Sequence, residues 1–336
     1  MNAKEIVIFF TGGTIGMDAK EGRGGAVPGN NQGRIFDALA DLQPGLHLKA
    51  VAWADLPSPH ITPEIMLRLS QDLDAQLGRS EVLGAVVLHG TDLMAETAFL
   101  LELTLTSGKP VVVTGAMLHL AQTGYDGIRN LEDSLAVCLA AGNNRGVLIQ
   151  MAGEIFQAGD AVKMDSAAMN PLLAQRRGHV GRVVEKKVSF FQPPAPSPAQ
   201  IRALLPRPVT ALAEQVELLK CFPGMTADCL NYFLDRGLKG LVLEGFGAGN
   251  TPPTLVGALE KTISRGVPVI LTTRCLYGGV NPIYAYAGGG AQLLSAGLLN
   301  GHGLTADKAL LLLKTALGCG CSHKNIAALC AYYGCT

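Results

Sequence analysis

Short apolar segments alternate with longer amphipathic segments along much of the chain. Segments with helical periodicity occur at residues 63–77, 94–106 and 128–141. Apolar runs of four to seven residues predict strands, and in the first half they occupy residues 5–10, 48–52, 83–89, 110–114 and 146–151. Because these runs are apolar on both faces, they favour parallel strands covered by helices on each side. This alternation is typical of an α/β fold.

A proline-rich stretch interrupts the alternation, with six prolines between residues 192 and 208. Proline fixes φ and lacks a backbone donor, so we expect neither a helix nor a central strand there. The stretch predicts a linker at residues 193–205, between an N-terminal α/β domain at 1–192 and a smaller C-terminal α/β domain at 206–336. Strands of the second domain are expected at 209–219, 241–244 and 267–272, and helices at 227–236, 255–265, 306–317 and 324–332.

The composition narrows the class of protein. The 27 basic residues balance 27 acidic ones, which argues against a nucleic-acid or anionic-membrane partner. Hydrophobic residues make up 48% of the chain, enough for a sizeable core. No apolar run reaches the ~18–20 residues that span a bilayer, and the first ten residues do not resemble a signal peptide. Eight cysteines in so long a chain are expected to be reduced thiols, which favours a cytoplasmic location.

Residues 11–16 (T-G-G-T-I-G) follow the first predicted strand directly. Open α/β sheets bind ligands at such turns, beyond the carboxyl ends of parallel strands. The spacing is not that of a dinucleotide fingerprint, and no P-loop lysine follows it. Paired glycines with flanking hydroxyls favour close approach to a small substrate. The alternative is a tight turn whose threonines satisfy local backbone groups.

Residues 89–92 (H-G-T-D) end the strand predicted at 83–89. Thr91 and Asp92 would place a hydroxyl and a carboxylate at the same sheet edge as Thr14. The alternative is that Thr91 or Asp92 simply caps the helix that follows, with Glu96 beyond it. Lys163 is of interest only if its amine reaches Thr91, because a lone lysine usually lies in solvent.

The C-terminal cysteines superficially resemble a metal-ligand cluster. Cys319 and Cys321 are followed by His323, but the C-x-C spacing is not typical of structural zinc, and Cys330 falls in a predicted amphipathic helix. We therefore predict no metal site and no cofactor.

The sequence resembles the asparaginase/glutaminase family, specifically the bacterial type I (cytoplasmic) L-asparaginases. The residues that carry the resemblance are T-G-G-T-I-G at 11–16, H-G-T-D at 89–92 and K-P-V-V-V-T-G-A-M at 109–117, with weaker support from 126–131, 223–224 and 247–250. The resemblance implies two α/β domains, the larger with a mostly parallel sheet of flavodoxin-like character. It also implies hydrolysis of L-asparagine, with L-glutamine left open, in a homodimer or homotetramer.

The resemblance also implies residue roles. Thr14 matches the nucleophile, which forms an acyl-enzyme with the side-chain carbonyl of asparagine and releases ammonia. Thr91 and Lys163 match the pair that assists proton transfer. A hydroxyl is a weak nucleophile and needs such a nearby base. Other positions match residues that surround the substrate: Gly13, Ser58, Gly90, Asp92, Ala116 and Asn250.

The chain departs from the family pattern at the mobile loop after the first motif. Many relatives have a tyrosine there, whereas residues 17–34 contain none, and no acidic residue lies between Arg274 and Thr305. Tyr286 stands where intracellular relatives have a tyrosine, so we predict that it orients Thr14. Two alternatives stay open from the sequence. One is an ammonia-supplying amidotransferase subunit, and the other is a catalytically weak amino-acid-binding regulatory protein.

Overall fold

The computed structural model describes residues 4–19, 26–28, 33, 35, 37, 46–193 and 198–335. These residues divide into two compact units, Met1–Gln200 and Ile201–Thr336. Among the helices of the described ranges, none is long and apolar enough to cross a membrane.

The N-terminal unit is built on a large sheet. Its strands are β1 (Glu5–Phe10), β2 (Met17–Ala19), β3 (Ala26–Pro28), β4 (His47–Ala52), β5 (Val82–Leu88), β6 (Val111–Thr114), β7 (Val147–Met151), β8 (Glu154–Gln157), β9 (Ala161–Lys163), β10 (Leu172–Ala174), β11 (Gly181–Val184) and β12 (Lys187–Phe190). Its helices are α1 (Pro63–Leu77), α2 (Met94–Thr104) and α3 (Gly127–Ala141). A fourth helix, α4 (Pro198–Leu204), begins in the last residues of this unit.

Within the described residues, the main sheet has eight strands in the order β12-β11-β8-β7-β6-β5-β1-β4. The strands from β4 to β7 are parallel, and β8, β11 and β12 are antiparallel additions. The parallel part has the flavodoxin-type order, in which the order of strands across the sheet reverses between β1 and β5. Ligands bind at this switch point in open α/β sheets, so the order itself indicates where a site should lie.

Local sequence explains why these elements form where they do. All six residues of β1 are buried, as expected for a strand covered on both faces. Helix α1 begins with Pro63 at its first position, and the Thr62 side chain accepts a hydrogen bond from the Ile65 N–H. Helix α2 is buried nearly all round and packs on one face of the sheet, while α3 packs on the other.

The C-terminal unit has a smaller parallel sheet. In its described part the strand order is β13-β14-β15-β16. The strands are β13 (Val216–Lys220), β14 (Gly240–Gly245), β15 (Val269–Thr273) and β16 (Leu299–Asn300). The helices are α5 (Asp228–Leu234), α6 (Val256–Ser264), α7 (Gly290–Ser295), α8 (Ala306–Gly318) and α9 (His323–Cys335). The two-domain α/β prediction is confirmed.

The expectation that the proline-rich stretch excludes a helix was wrong in its second half. Helix α4 occupies residues that we assigned to the linker, and the two compact units divide between Gln200 and Ile201 inside it. Pro198 begins this helix. A proline is tolerated in the first turn, because the N–H it lacks would have no partner within the helix there.

Candidate active site

Four loops meet at the carboxyl edge of the main sheet, beyond β4, β1, β5 and β6. The parallel registers place the ends of these strands side by side: Phe10 pairs with both Ala52 and Leu88, and Leu88 pairs with Thr114. The loops that follow carry Ser58, Thr14, Thr91 and Ala116, in the same strand order. Residues far apart in the sequence are therefore brought to the switch point of the sheet.

Glycines allow these loops to touch. Gly13 has a φ of 89°, and a side chain there would place its Cβ 2.4 Å from the Gly90 backbone. A Cβ on Gly90 would lie 2.7 Å from the Ser58 hydroxyl oxygen. Gly12 packs in the same way against the Leu56 backbone. The predicted substrate-binding residues Gly13, Gly90 and Ser58 are therefore packed together, and the contact depends on the missing side chains.

Thr14 opens a short 3₁₀ turn and is half-buried. Among the residues that the structure describes, its hydroxyl has no hydrogen-bond partner. Thr11 differs, because its hydroxyl donates to the Leu88 carbonyl at 2.9 Å and is fully buried. The alternative in which the threonines serve only the backbone therefore holds for Thr11 and not for Thr14.

Thr91, Asp92 and Lys163 form one cluster. The Lys163 amine donates to the Thr91 hydroxyl at 2.8 Å and to the Asp92 carboxylate at 2.7 Å. The alternative of a helix cap was wrong, since α2 has Leu93 at its N-cap position and no side-chain cap bond. Thr91 is buried, whereas the Asp92 side chain is 59% exposed. In this cluster the Lys163 amine therefore lies between a buried hydroxyl, that of Thr91, and a solvent-exposed carboxylate, that of Asp92.

The β9–β10 hairpin presents Lys163, which pairs directly with Leu172. A buried carboxylate, Asp160, anchors the hairpin by accepting from the backbone N–H of Arg176 at 3.1 Å and of Arg177 at 2.8 Å. It also contacts the Arg176 guanidinium at 3.2 Å. These bonds fix the strand that carries the amine.

His89 is a structural residue in this site. Its ring is fully buried, with Nδ1 at 2.7 Å from the Gly90 carbonyl and Nε2 at 3.0 Å from the Thr97 hydroxyl. Because a carbonyl only accepts, Nδ1 carries the proton, and Nε2 accepts from Thr97. Burial lowers the pKa of His89 to about 4, so the ring is neutral at neutral pH. It holds the Gly90 backbone and offers no general base.

The loop that carries Ala116 is held by two side chains at the start of α3. The Asp126 carboxylate accepts from the backbone N–H groups of Met117 and Leu118, and Asn130 donates to the Gly115 carbonyl at 3.0 Å. Ala116 itself is fully buried. Asp126 and Asn130 of the D-G-x-x-N motif at 126–130 therefore hold the backbone of the loop that carries Ala116.

Sequence reasoning assigned no role to His89, Asp160 or Asp126. Each acts by binding backbone groups of a neighbouring loop, and no local pattern reveals which loop that will be. The position of His89 directly before Gly90 is the one sequence signal among the three, because Asp160 and Asp126 are not adjacent in sequence to a predicted site residue.

Asn250 and Tyr286 belong to the C-terminal unit, where they lie in neighbouring loops. The Asn250 side chain accepts from the Gly290 N–H at 3.1 Å, and the Tyr286 carbonyl accepts from the Gly289 N–H at 2.8 Å. The Tyr286 side chain is 57% exposed, with its ring centroid 5.5 Å from that of Tyr284. The loop after the first motif has no tyrosine at residues 17–34, of which 20–25, 29–32 and 34 lie outside the described residues.

In the described part of the chain, His, Cys, Asp and Glu side chains form no group of three or more that could hold a metal ion. Burial raises the pKa of Cys321 to about 11 and that of Cys330 to about 12. Both groups are therefore thiols at neutral pH.

Comparisons with known proteins identify the family of this chain. Residues 5–196 match the family description "Asparaginase, N-terminal", and residues 215–329 match "Glutaminase/Asparaginase C-terminal domain". A probable L-asparaginase of Deinococcus radiodurans is 35% identical over 96% of this chain and 95% of its own. A glutamyl-tRNA(Gln) amidotransferase subunit from Methanobrevibacter smithii is 27% identical over 94% of this chain and 72% of its own.

Among solved structures, a probable cytoplasmic L-asparaginase from Campylobacter jejuni matches with a TM-score of 0.83. The two are 26% identical, and the match covers 98% of this chain and 99% of the other. Fold, motifs and both matched regions thus agree, and the chain belongs to the asparaginase family.

Proposed function

We propose that the protein hydrolyses the side-chain amide of L-asparagine to L-aspartate and ammonia through an acyl-enzyme on Thr14. The observation that carries this proposal is the Thr91–Asp92–Lys163 cluster, held at the same sheet edge as Thr14. A hydroxyl, an amine and a carboxylate at a switch point suit amide hydrolysis of a small zwitterion. The names of the relatives support the same reaction.

In the first half of the reaction, the Thr14 oxygen attacks the amide carbon, and its proton passes to the Thr91–Lys163 pair. The tetrahedral intermediate collapses as the C–N bond breaks, and the proton leaves with ammonia. Backbone N–H groups of the packed loops are suited to stabilise the oxyanion. In the second half, water attacks the ester with the same pair accepting its proton, and L-aspartate is released.

The family resemblance implies how the substrate is recognised. The exposed Asp92 carboxylate suits the α-ammonium, and the Ser58 hydroxyl beside Gly13 and Gly90 suits the α-carboxylate. Ala116 would line the pocket next to the amide. L-Asparagine and L-glutamine differ by one methylene, which is typically worth only ~1–3 kcal/mol. Since the relatives are named L-asparaginases, the proposal names L-asparagine as the substrate and L-glutamine as a weaker one.

We also propose that a homodimer or homotetramer is the active form, in the cytoplasm, without a cofactor. Four large side chains are exposed in the segment between β15 and α7 of the C-terminal unit: Tyr277, Ile283, Tyr284 and Tyr286. Such a concentration favours burial against another chain. In this proposal Tyr286 and Asn250 act from the smaller unit of a second copy, with the Tyr286 hydroxyl orienting Thr14.

The proposal is tested by measuring ammonia release from L-asparagine by the purified protein. We expect one aspartate for each ammonia, a lower kcat/KM with L-glutamine, and little reaction with succinamic acid, which lacks the α-ammonium that Asp92 would hold. Absence of ammonia release from L-asparagine would exclude the proposed function.

The similarity to an amidotransferase subunit favours a second candidate, which is ammonia supply to a partner enzyme. The chemistry at Thr14 would be the same, but ammonia would be consumed by the partner on a tRNA-linked substrate. Rapid release of free ammonia without tRNA or any other protein favours the hydrolase. Strong stimulation by a charged tRNA and a partner favours the amidotransferase role.

A further inference from the structure

Tyr125 lies in the loop between β6 and α3 and reaches the turn that holds Thr14. Its hydroxyl donates to the carbonyl oxygen of Ile15 at 2.7 Å, across 110 positions of sequence. Ile15 directly follows Thr14 and is fully buried. The Tyr125 ring packs against the core cluster that contains the Ile15 side chain. The Ile15–Gly16 peptide, one residue beyond the proposed nucleophile, is thus held both by packing and by a phenol hydroxyl.

Backbone hydrogen bonds close the turn itself. The Gly16 N–H donates to the Gly13 carbonyl at 3.1 Å, and the Met17 N–H donates to the Thr14 carbonyl. The Ile15 carbonyl is the next acceptor along the turn, and Tyr125 supplies its donor. Short 3₁₀ turns have poorer hydrogen-bond geometry than longer helices, so a bond from outside has a proportionally large effect on their conformation.

The segment that carries Tyr125 is itself anchored. Asp126, the next residue, accepts from the Met117 and Leu118 N–H groups and from the Asn130 side chain. The Tyr125 N–H donates to the Gln122 carbonyl at 3.2 Å. A tyrosine has only two side-chain torsions, so a fixed backbone and a packed ring leave its hydroxyl little freedom.

Gly127 provides the space through which the hydroxyl reaches Ile15. A Cβ at this position would lie 2.2 Å from the Tyr125 hydroxyl oxygen and 2.8 Å from Cγ1 of Ile15. Even alanine at position 127 would therefore displace the phenol, the Ile15 side chain, or both. Two separate features, the hydrogen bond and the missing side chain, serve the same contact.

We propose that Tyr125 is a positioning residue, which sets the direction of the Thr14 hydroxyl by holding the Ile15 carbonyl. The inference rests on the proposed function of Thr14. Loss of the contact would let the Ile15–Gly16 peptide rotate and shift the turn that carries Thr14. A displacement of a nucleophile by ~1 Å can cost on the order of 10²-fold in rate. Substrate affinity would change little, because Asp92 and Ser58, whose side chains are proposed to hold the two charged groups of the substrate, lie on other loops.

The test compares Tyr125→Phe with the wild-type enzyme in steady-state ammonia release. We expect kcat to fall by at least about fivefold, the effect of losing one aligned hydrogen bond, while KM stays within about twofold. Gly127→Ala should lower kcat in the same manner. The double variant should lose less than the product of the two single losses, because both changes remove one contact. Tyr232→Phe, on helix α5, is the control and should match the wild type.

The outcomes separate this inference from the proposed function. An active wild type with an unchanged kcat in Tyr125→Phe overturns the positioning role and leaves the function intact. A lower thermal midpoint without a change in kcat also overturns it, since that result belongs to a purely structural residue. A wild type that releases no ammonia from L-asparagine overturns both.

Discussion

Replacement of Lys163 tests proton transfer in this site. Its amine contacts the Thr91 hydroxyl at 2.8 Å and the Asp92 carboxylate at 2.7 Å. Lys163→Met keeps the length and volume of the stem and removes the amine. Lys163→Arg keeps a positive charge and the ion pair with Asp92, but a guanidinium does not give up its proton at neutral pH. The pair of variants separates loss of charge from loss of a base.

The expected magnitudes differ for the two possible roles of Lys163. The Asp92 side chain is 59% exposed, so its ion pair with Lys163 contributes only ~0–1 kcal/mol to folding. The thermal midpoint should therefore shift little. A positioned acid or base contributes ~10²–10⁴-fold in rate, which corresponds to ~3–5 kcal/mol in the barrier. We expect both variants to lose kcat on this scale while remaining folded.

The assay is steady-state ammonia release over a range of L-asparagine concentrations, with thermal unfolding of each variant. Lys186→Met is the matched control, because Lys186 also forms an ion pair in the N-terminal unit, with Glu132 at 3.3 Å. A Lys163→Met enzyme with normal kcat and a raised KM would show that the amine only binds substrate. A fully active Lys163→Arg enzyme would show that charge suffices. Either result would refute proton transfer by Lys163.

Three further changes have defined outcomes. Gly90→Ala would place a Cβ 2.7 Å from the Ser58 hydroxyl oxygen and should raise KM at least tenfold, whereas Gly257→Ala, with open space around it, should not. Burial raises the pKa of Glu102 from 4.5 to about 7, so the stability contributed by the protonated carboxyl is present below pH 4.5 and is lost as pH rises through 7. In chemical denaturation, the free energy of unfolding of Glu102→Gln should rise relative to that of the wild type by up to ~3 kcal/mol between pH 5 and 8. Tyr286→Phe should lower kcat at least tenfold, or ~1.4 kcal/mol in the barrier.

The parallel core of the fold was predictable because its strands are buried on both faces. The predicted strand at 5–10 and helix at 63–77 agree with β1 and α1 to the residue. The antiparallel strands β8 to β12 went unpredicted. They are three or four residues long, which is too short for periodicity to show. The strand expected at 209–219 begins only at Val216, directly after Gln215, whose φ of 58° lies outside the extended range of a strand.

The site was predictable only in part. The ends of parallel strands at a switch point bring Thr14 and Thr91 to one edge, so their proximity follows from fold class alone. The partner of Thr91 does not follow, since Lys163 lies 72 residues away on a hairpin that the sequence pattern did not predict. For the same reason local sequence could not separate a helix cap from a catalytic group at Asp92. Tyr125 gave no signal, because its contact with Ile15 depends on tertiary packing.

Covalent trapping on Thr14 tests the central claim most directly. The purified enzyme would be mixed with L-asparagine, quenched in acid within its turnover time, digested and examined by mass spectrometry, alongside Thr14→Ala. We predict an aspartyl group on the peptide that contains Thr14, and no ammonia release by the folded Thr14→Ala variant. An aspartyl group on Thr91, or a Thr14→Ala enzyme that retains more than a small fraction of wild-type kcat, would contradict the account.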